Sequence, residues 1–203
     1  MKLHWSPRSP YVRKVMIAAH ELGLVGQLDC VRSLAAMSAP NPAIMVDNPL
    51  SKIPTLVLDD GTVLIDSDVI VEYLDSIGSG TLLPQAGPAR WEALSRQALA
   101  SGLIDALILW RNEREKPAVQ QSEAWLAAFA IKTQATLDRF ERDAPAIAAN
   151  PLDVGHIALG CALSYLDFRF GDLHWRDGRP ALASWHESFV ARPSARATEA
   201  VYG

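Results

Sequence analysis

The start of the chain constrains the fold most, because it predicts a strand, a tight turn and a helix in direct succession. Lys2–Trp5 is a short apolar strand candidate, and apolar residues recur at helical spacing from Val12 to Leu22. Ser9 and Pro10 fit the N-cap and first helical positions, where these residue types are favoured. A helix start offers free backbone N–H groups and a partial positive charge, which stabilise an anion. A plain helix cap without a ligand explains the same residues.

The pattern that follows continues as an α/β domain. Strands are predicted over residues 27–32, 55–58 and 62–65, with a hairpin turn at 59–61 between the last two. A second helix is expected to be capped at Asp66 and Ser67 and to end at Gly78. Between these elements, residues 34–48 are predicted to be irregular, because Pro40 and Pro42 would break a helix.

The second half of the chain predicts helices alone. Three Gly and two Pro make residues 78–88 a linker candidate. Helices are then expected over residues 89–115, 122–142, 154–170 and 180–191. Residues 103–110 are apolar almost all round, which indicates burial on more than one face, one of them against a partner subunit. We therefore predict an α/β domain at 1–77, a linker at 78–88 and an all-helical domain at 89–203.

Composition excludes several classes of function. The 203 residues carry a formal net charge of −4 without basic clusters, so nothing favours a nucleic-acid partner. Neither a signal peptide nor an apolar run of membrane-spanning length is present, which predicts a cytoplasmic protein without a membrane partner. Cys30 and Cys161 are expected to be buried free thiols in a reducing compartment. The five His form no zinc motif, so no metal is expected.

The turn before the first helix resembles that of thioredoxin-like redox proteins, whose motif is Cys-x-x-Cys. Ser9 stands where the first Cys would be, and Val12 where the second would be. The turn therefore resembles a thiol-handling site that has no thiol of its own. We expect the thiol to arrive with a ligand.

The chain as a whole resembles bacterial cytosolic glutathione S-transferases. The resemblance is carried by SPYVRK at 9–14, NPLSKIP at 48–54, DSDVI at 66–70, IALGCA at 157–162 and RPS at 192–194. It implies the glutathione transferase fold, with an α/β thioredoxin-like N-terminal domain and an all-α C-terminal domain. It also implies a homodimer with glutathione as co-substrate and a small electrophile as second substrate.

The resemblance assigns the thiol of glutathione to Ser9, whose hydroxyl would donate a hydrogen bond to the thiolate and favour the charged form. It implies a cis peptide bond before Pro54, and pairing of the Ile53 backbone with the backbone of glutathione. Lys52 would reach the glycyl carboxylate as a point charge. The plain alternatives are a turn leading into a strand for Ile53 and Pro54, and a solvated surface side chain for Lys52.

Asp66 and Ser67 are assigned to the γ-glutamyl end of glutathione, with Asp66 facing its ammonium and Ser67 its carboxylate. A bare N-cap is the alternative, and the family more often has Glu where this chain has Asp66. The helix over 154–170 also departs from the family pattern, because Asp153 is followed by His156 instead of a carboxylate. We expect this to weaken the reciprocal capping.

The electrophile pocket has the weakest sequence signal. Arg8 in the first loop and Trp110 and Arg111 on the long helix are the candidates, with core packing as the alternative for Trp110. The function predicted first is a glutathione transferase, in which the activated thiol attacks an electrophilic carbon. The alternatives are a glutathione-dependent peroxidase or redox enzyme, and a non-catalytic partner-binding protein on the same fold.

Overall fold

The computed structural model describes residues 1–202, which form two compact units. Met1–Ala86 groups with the residues from Pro193 onward, and Gly87–Arg192 forms the other unit. The first unit combines a sheet with helices and the second is helical, as the predicted fold class requires. The domain boundaries 1–77, 78–88 and 89–203 stay a prediction.

A mixed sheet lies at the centre of the first unit. Among the described residues it has four strands, β1 (Lys2–Trp5), β2 (Asp29–Arg32), β3 (Thr55–Val57) and β4 (Val63–Ile65), in the order β2-β1-β3-β4. β1 pairs with β2 in parallel and with β3 in antiparallel orientation, and β3 continues into the β3–β4 hairpin. β1 therefore has a partner strand on both sides, and its Leu3 is fully buried.

Helices α1 (Pro10–Glu21) and α3 (Ser67–Ile77) pack on each other and bury apolar faces. Val15 and Ile17 of α1 and Ile70 and Leu74 of α3 are fully buried. The predicted start of α1 is confirmed, with Ser9 as N-cap. The short helix α8 (Pro193–Ala197) also contacts α1.

Two predictions for the first unit are wrong. Helix α2 (Pro42–Met45) forms within the stretch predicted to be irregular. Pro42 begins this helix because the first position needs no N–H donor, and the Asn41 side chain caps it by accepting from Ala43 N. Cys30 is exposed and only Cys161 is buried, since all four residues of the edge strand β2 are exposed.

The second unit is built around one buried helix. The helices are α4 (Gly87–Arg114), α5 (Glu123–Ala149), α6 (Val154–Arg169) and α7 (Pro180–Val190). Every residue of α6 from Val154 to Leu166 is buried, so this helix forms the core of the second unit. No helix formed by residues 1–202 has the length and hydropathy that a membrane span requires.

Helix α5 continues past its predicted end at residue 142. It runs through Pro145 to Ala149, because Ala144 and Ile147 extend the buried apolar face beyond the proline. The carboxylate of Glu141 on α5 accepts hydrogen bonds from Ala181 N and Leu182 N. It therefore satisfies free N–H groups at the start of α7, which has no N-cap side chain of its own.

Helix α6 begins with a reciprocal cap. Asp153 Oδ1 accepts from His156 N at 2.9 Å, and His156 Nδ1 accepts from Asp153 N at 3.2 Å. His156 Nε2 donates to the Ile147 carbonyl at 2.9 Å, so the other ring nitrogen, Nδ1, is the one that faces the cap. Reciprocal capping is thus present although His156 is not a carboxylate, because an imidazole nitrogen also accepts a hydrogen bond, and its predicted weakening stays a prediction.

One stripe of α4 is buried within the chain. Leu103, Ile104, Leu107 and Trp110 belong to it, whereas Leu99 is exposed. The second buried face predicted for residues 103–110 therefore requires a partner, and the homodimer stays a prediction.

The packing of α6 against α7 can be tested at Gly160 of α6. A Cβ at Gly160 would overlap the ring of Phe189 on α7. We expect Gly160→Ala to lower the free energy of unfolding by about 1–3 kcal/mol, measured by urea titration. Gly102→Ala is the matched control, because a Cβ there meets open space on the exposed side of α4. It should raise stability by about 0.4–1 kcal/mol, and equal effects of the two substitutions would contradict the packing described here.

Candidate functional site

Ser9 is the N-cap of α1, and its hydroxyl group remains available as a hydrogen-bond donor. Its backbone is extended, with φ −85° and ψ 120°, and its N–H donates to the Ser6 carbonyl at 3.3 Å. Its Oγ accepts a hydrogen bond from Val12 N at 3.2 Å. Within residues 1–202 the Ser9 hydroxyl proton has no acceptor, so it is available to a ligand at the helix start.

Three cations lie close to this turn in the sequence, and two of them have partners inside the first unit. Arg13 is buried and donates from Nη2 to the Ala195 carbonyl at 3.1 Å. Lys14 is buried and paired with Asp68. Arg8 is half-buried, and its guanidinium has no ion pair or hydrogen bond in the part of the chain that the structure describes. Arg8 is therefore the cation that a ligand could use.

The segment before β3 presents a peptide backbone. The Ile53–Pro54 bond is cis, which confirms the isomer that the resemblance implied. The backbone N–H and C=O of Ile53 form no hydrogen bond with another described residue. Lys52 is exposed, and its Nζ has no partner among residues 1–202. The arrangement leaves Ile53 available for pairing with an extended peptide, and Lys52 for an anion.

Asn48 fixes this segment through its side chain. Its Nδ2 donates to the Lys52 carbonyl at 3.3 Å and to Thr55 Oγ1 at 3.0 Å. Its Oδ1 accepts from Leu50 N at 3.0 Å, and Thr55 Oγ1 donates to the same Lys52 carbonyl at 2.9 Å. Asn48 is 2% exposed, so the segment is tied to the interior of its unit at several points. No signal in the sequence indicates this role of the Asn48 side chain.

Asp66 and Ser67 form the start of α3. Asp66 Oδ1 accepts from Asp68 N at 2.8 Å, so Asp66 is the N-cap and Ser67 the first helical residue. Asp66 has φ +77° and ψ 135°, a conformation that residues with a Cβ rarely adopt. Ser67 is 4% exposed, and its hydroxyl makes no hydrogen bond within residues 1–202. Strain and a donor without a partner thus coincide at one helix N-terminus.

His4 lies in a buried polar cluster that the sequence analysis missed. Its Nε2 lies 2.7 Å from Asp47 Oδ2 and its Nδ1 lies 2.8 Å from Ser33 Oγ. Lys2 Nζ donates to the same Asp47 oxygen at 2.6 Å. These residues are far apart in sequence and follow no motif, so only the register of the sheet and the path of the loop after α2 bring them together.

Trp110 and Arg111 lie in the second unit and have partners there. Trp110 is 6% exposed, and its ring centroid lies 5.2 Å from that of Phe170, as core packing would give. Arg111 donates to Tyr165 Oη at 3.1 Å and to Asn112 Oδ1 at 3.0 Å. Their role in an electrophile pocket, like that of Arg8, stays a prediction. Residues 1–202 contain no group of three or more His, Cys, Asp or Glu placed to hold a metal ion.

Comparison with known proteins gives matches over both units. A family model of the glutathione S-transferase N-terminal domain matches residues 8–77, and one of the C-terminal domain matches residues 123–188. The uncharacterized GST-like protein YibF of Escherichia coli K12 is 32% identical over 202 residues, covering 98% of each chain.

Solved structures are similar over nearly the whole chain. A glutathione transferase family member from Pseudomonas fluorescens Pf-5 with bound glutathione has a TM-score of 0.96 at 42% identity, covering 99% of both chains. One described with bound S-(propanoic acid)-glutathione has a TM-score of 0.91 at 41% identity, covering all of both chains. A glutathione S-transferase from Methylobacillus flagellatus KT with glutathione bound has a TM-score of 0.90 at 34% identity, covering 98% of this chain and 99% of that one.

The strained backbone of Asp66 yields a stability prediction. Asp66→Gly removes the positive-φ strain, and glycine is only a few tenths of a kcal/mol worse as an N-cap. We expect the free energy of unfolding to rise by about 1 kcal/mol in urea titrations. Asp66→Asn keeps both the cap and the strain and should match the wild type. A glycine variant less stable than the asparagine variant would show that Asp66 is not strained.

Proposed function

The chain belongs to the glutathione S-transferase family, and we propose that it binds glutathione and activates its thiol for attack on an electrophilic substrate. One observation carries the proposal. The first unit has three kinds of hydrogen-bonding group without partners in residues 1–202: the Ser9 hydroxyl, the Ile53 backbone and the Ser67 hydroxyl. The two hydroxyls lie at helix N-termini, which favour an anion, so their lack of a partner within the unit supports a ligand there.

The proposed chemistry takes place at the start of α1. A free thiol has a pKa of about 8.5, and the N-terminus of a helix lowers that pKa. The Ser9 hydroxyl would donate to the thiolate, and because Ser9 keeps its proton it needs no basic partner. The thiol proton passes to water. The sulfur then forms a bond to the electrophilic carbon, and the leaving group departs with the electron pair of the bond that breaks.

The rest of glutathione would be held along the first unit. The Ile53 backbone would pair with the backbone of the tripeptide, and Lys52 would attract the glycyl carboxylate. Ser67 and the N-terminus of α3 suit the carboxylate of the γ-glutamyl end, and Asp66 suits its ammonium. The solved relatives with bound glutathione support this proposal, since they are similar to the chain over nearly its whole length.

For the electrophile we propose a small acid or another molecule with an anionic group. Arg8 directly precedes Ser9 and carries a guanidinium without a partner in the described residues. The Pseudomonas fluorescens relative described with S-(propanoic acid)-glutathione binds an adduct in which a carboxylic acid is attached to glutathione. Trp110 and Arg111 remain proposed pocket residues with weaker support, because both have partners in their own unit.

We also propose that the protein is a cytoplasmic homodimer. Exposed apolar side chains support the dimer, above all Trp91, which is 68% exposed, and Leu99, which is 39% exposed, both on α4. Obligate dimers bury apolar surface of this kind in interfaces of about 2,000 Å² or more.

Calorimetric titration with glutathione tests the proposal first, since the absence of binding would contradict it. Binding without turnover of any electrophile would instead favour a non-catalytic partner-binding protein. Turnover of a hydroperoxide, with none of an electrophile, would favour the glutathione-dependent peroxidase.

Ser9→Ala tests the role of the hydroxyl in the chemistry. The thiolate would lose a charged hydrogen bond of roughly 1.5–3 kcal/mol, so we expect the rate with an aromatic halide to fall by about 10- to 100-fold. Glutathione affinity should change little, because the other binding groups remain. Ser122→Ala removes an equivalent cap on α5, which separates a loss of helix stability from a loss of chemistry. An unchanged rate in Ser9→Ala would reduce Ser9 to a helix cap.

Light scattering at micromolar concentration tests the homodimer. We expect the mass of two chains for the wild type and a larger monomer fraction for Leu99→Arg, which places a charge on the exposed apolar face of α4. Val119→Arg is the control, because Val119 is 94% exposed and lies outside α4. A wild type that is entirely monomeric would overturn the proposal.

A further inference from the structure

We propose that His4 is a positioning residue for glutathione and acts through the hydrogen-bonded chain Ser33–His4–Asp47. The inference rests on the proposed function, because the segment that this chain positions contains Lys52, Ile53 and Pro54. His4 lies in β1, and in the described part of the chain its side chain is hydrogen-bonded to Ser33 and Asp47 and not to any of these three residues. Its effect would be transmitted through Asp47 and the residue that follows it, Asn48.

The geometry of His4 joins three parts of the first unit. β1 contributes the imidazole, Ser33 directly follows β2, and Asp47 lies in the loop after α2. Both ring nitrogens are used, Nε2 at 2.7 Å from Asp47 Oδ2 and Nδ1 at 2.8 Å from Ser33 Oγ. His4 is 4% exposed and Ser33 is 6% exposed, so water does not readily replace either contact. Each of these hydrogen bonds is therefore costly to lose.

The carboxylate of Asp47 is held by its negative charge as well as by the positions of its two hydrogen-bond donors, His4 and Lys2. Its pKa is lowered by the hydrogen bond from His4 and by that from Lys2, so the carboxylate is charged at neutral pH. The Lys2 side chain is 40% exposed and the His4 side chain is 5% exposed. Solvent screens the contact with Lys2 more strongly, which makes His4 the partner that fixes the position of Asp47.

Ser33 lets the cluster keep its hydrogen bonds in both protonation states of His4. Neutral His4 donates from Nε2 to Asp47 and accepts at Nδ1 from the Ser33 hydroxyl. Protonated His4 donates from Nδ1 to Ser33 Oγ, and the Ser33 hydroxyl then donates to the Val31 carbonyl, which lies 3.1 Å away. The hydrogen bond from His4 Nε2 to Asp47 is present in either protonation state.

The hydrogen bond between His4 and Asp47 is linked to the proposed site by one peptide bond, the one between Asp47 and Asn48. Asn48 follows Asp47, and its side chain holds the Lys52 carbonyl, Thr55 Oγ1 and Leu50 N. A shift of Asp47 would therefore move the anchor of the segment that carries Lys52 and Ile53. The sheet register also pairs His4 with Thr55. His4 therefore contacts the chain both just before the segment, at Asp47, and just after it, at Thr55.

Two substitutions at His4 separate positioning from packing. His4→Leu removes both hydrogen bonds, and we expect the Kd for glutathione to rise by about tenfold, the equivalent of roughly one net hydrogen bond. His4→Gln retains an N–H donor that can reach Asp47, and its Kd should stay within about threefold of the wild type. The turnover number at saturating glutathione should stay within about twofold for both, because Ser9 is unchanged.

Two controls make the result specific. Lys2→Met removes the exposed partner of Asp47 and should leave the Kd for glutathione within about twofold of the wild type. Leu137→Ala opens a cavity in α5 of the other unit, so it lowers stability without touching the cluster. Its affinity for glutathione should equal that of the wild type. If His4→Leu does not fold, Ser33→Ala replaces it, with an expected Kd rise of about threefold.

The outcomes distinguish this inference from the proposed function. A wild type that binds glutathione, with equal affinity in the His4→Leu and wild-type proteins, would overturn the inference and leave the proposed function standing. A His4→Gln variant that binds glutathione as weakly as His4→Leu would also overturn it. The hydrogen bond to Asp47 would then not be the cause of the loss of affinity. A wild type that does not bind glutathione would overturn both.

Discussion

Strand β1 is hydrogen-bonded on both sides, and the first unit depends on that double pairing. It fixes β2 and β3 relative to each other, and it delivers the chain into the turn that ends at Ser9. His4 in the same strand is hydrogen-bonded to Asp47 and faces Thr55 in the register. The groups proposed to bind the thiol and the backbone of glutathione, Ser9 and Ile53, are thus both positioned by the four residues of β1.

Two hydroxyls of the first unit have no partner within it at the points where a ligand is proposed. Arg13 and Lys14 have partners within the unit although both are buried, whereas the hydroxyls of Ser9 and Ser67 have none within residues 1–202. Asp66 adds backbone strain at the same site. Such a distribution is typical of proteins in which a binding site is retained at the expense of stability.

The sequence predicted what is encoded locally. The cap at Ser9, the turn residues at 59–61 and the helix start at Asp66 depend on residues within one or two turns of each other, and the structure has all of them. The cis bond before Pro54 came from the family resemblance and not from the residues alone. The extension of α5 beyond Pro145 could not be predicted, because burial of Ile147 outweighs the local preference of proline.

Contacts between distant residues account for the rest of what was missed. The exposure of Cys30 depends on the packing around β2, and the His4 cluster joins residues that are 29 and 43 positions apart. The reciprocal cap at His156 has a chemical basis, since a ring nitrogen accepts the hydrogen bond that a carboxylate more often accepts at this position. The strain at Asp66 has no sequence signal, because aspartate is a common N-cap in an ordinary conformation as well.

The position of β2 at the edge of the sheet has a further consequence for self-association. An edge strand can template the addition of a strand from another chain, and such edges are blunted by short length and by charged side chains. β2 has four residues and is charged at both ends, by Asp29 and Arg32. Aggregation through continuous sheets is therefore disfavoured at this edge, even though Cys30 and Val31 between the charges are exposed.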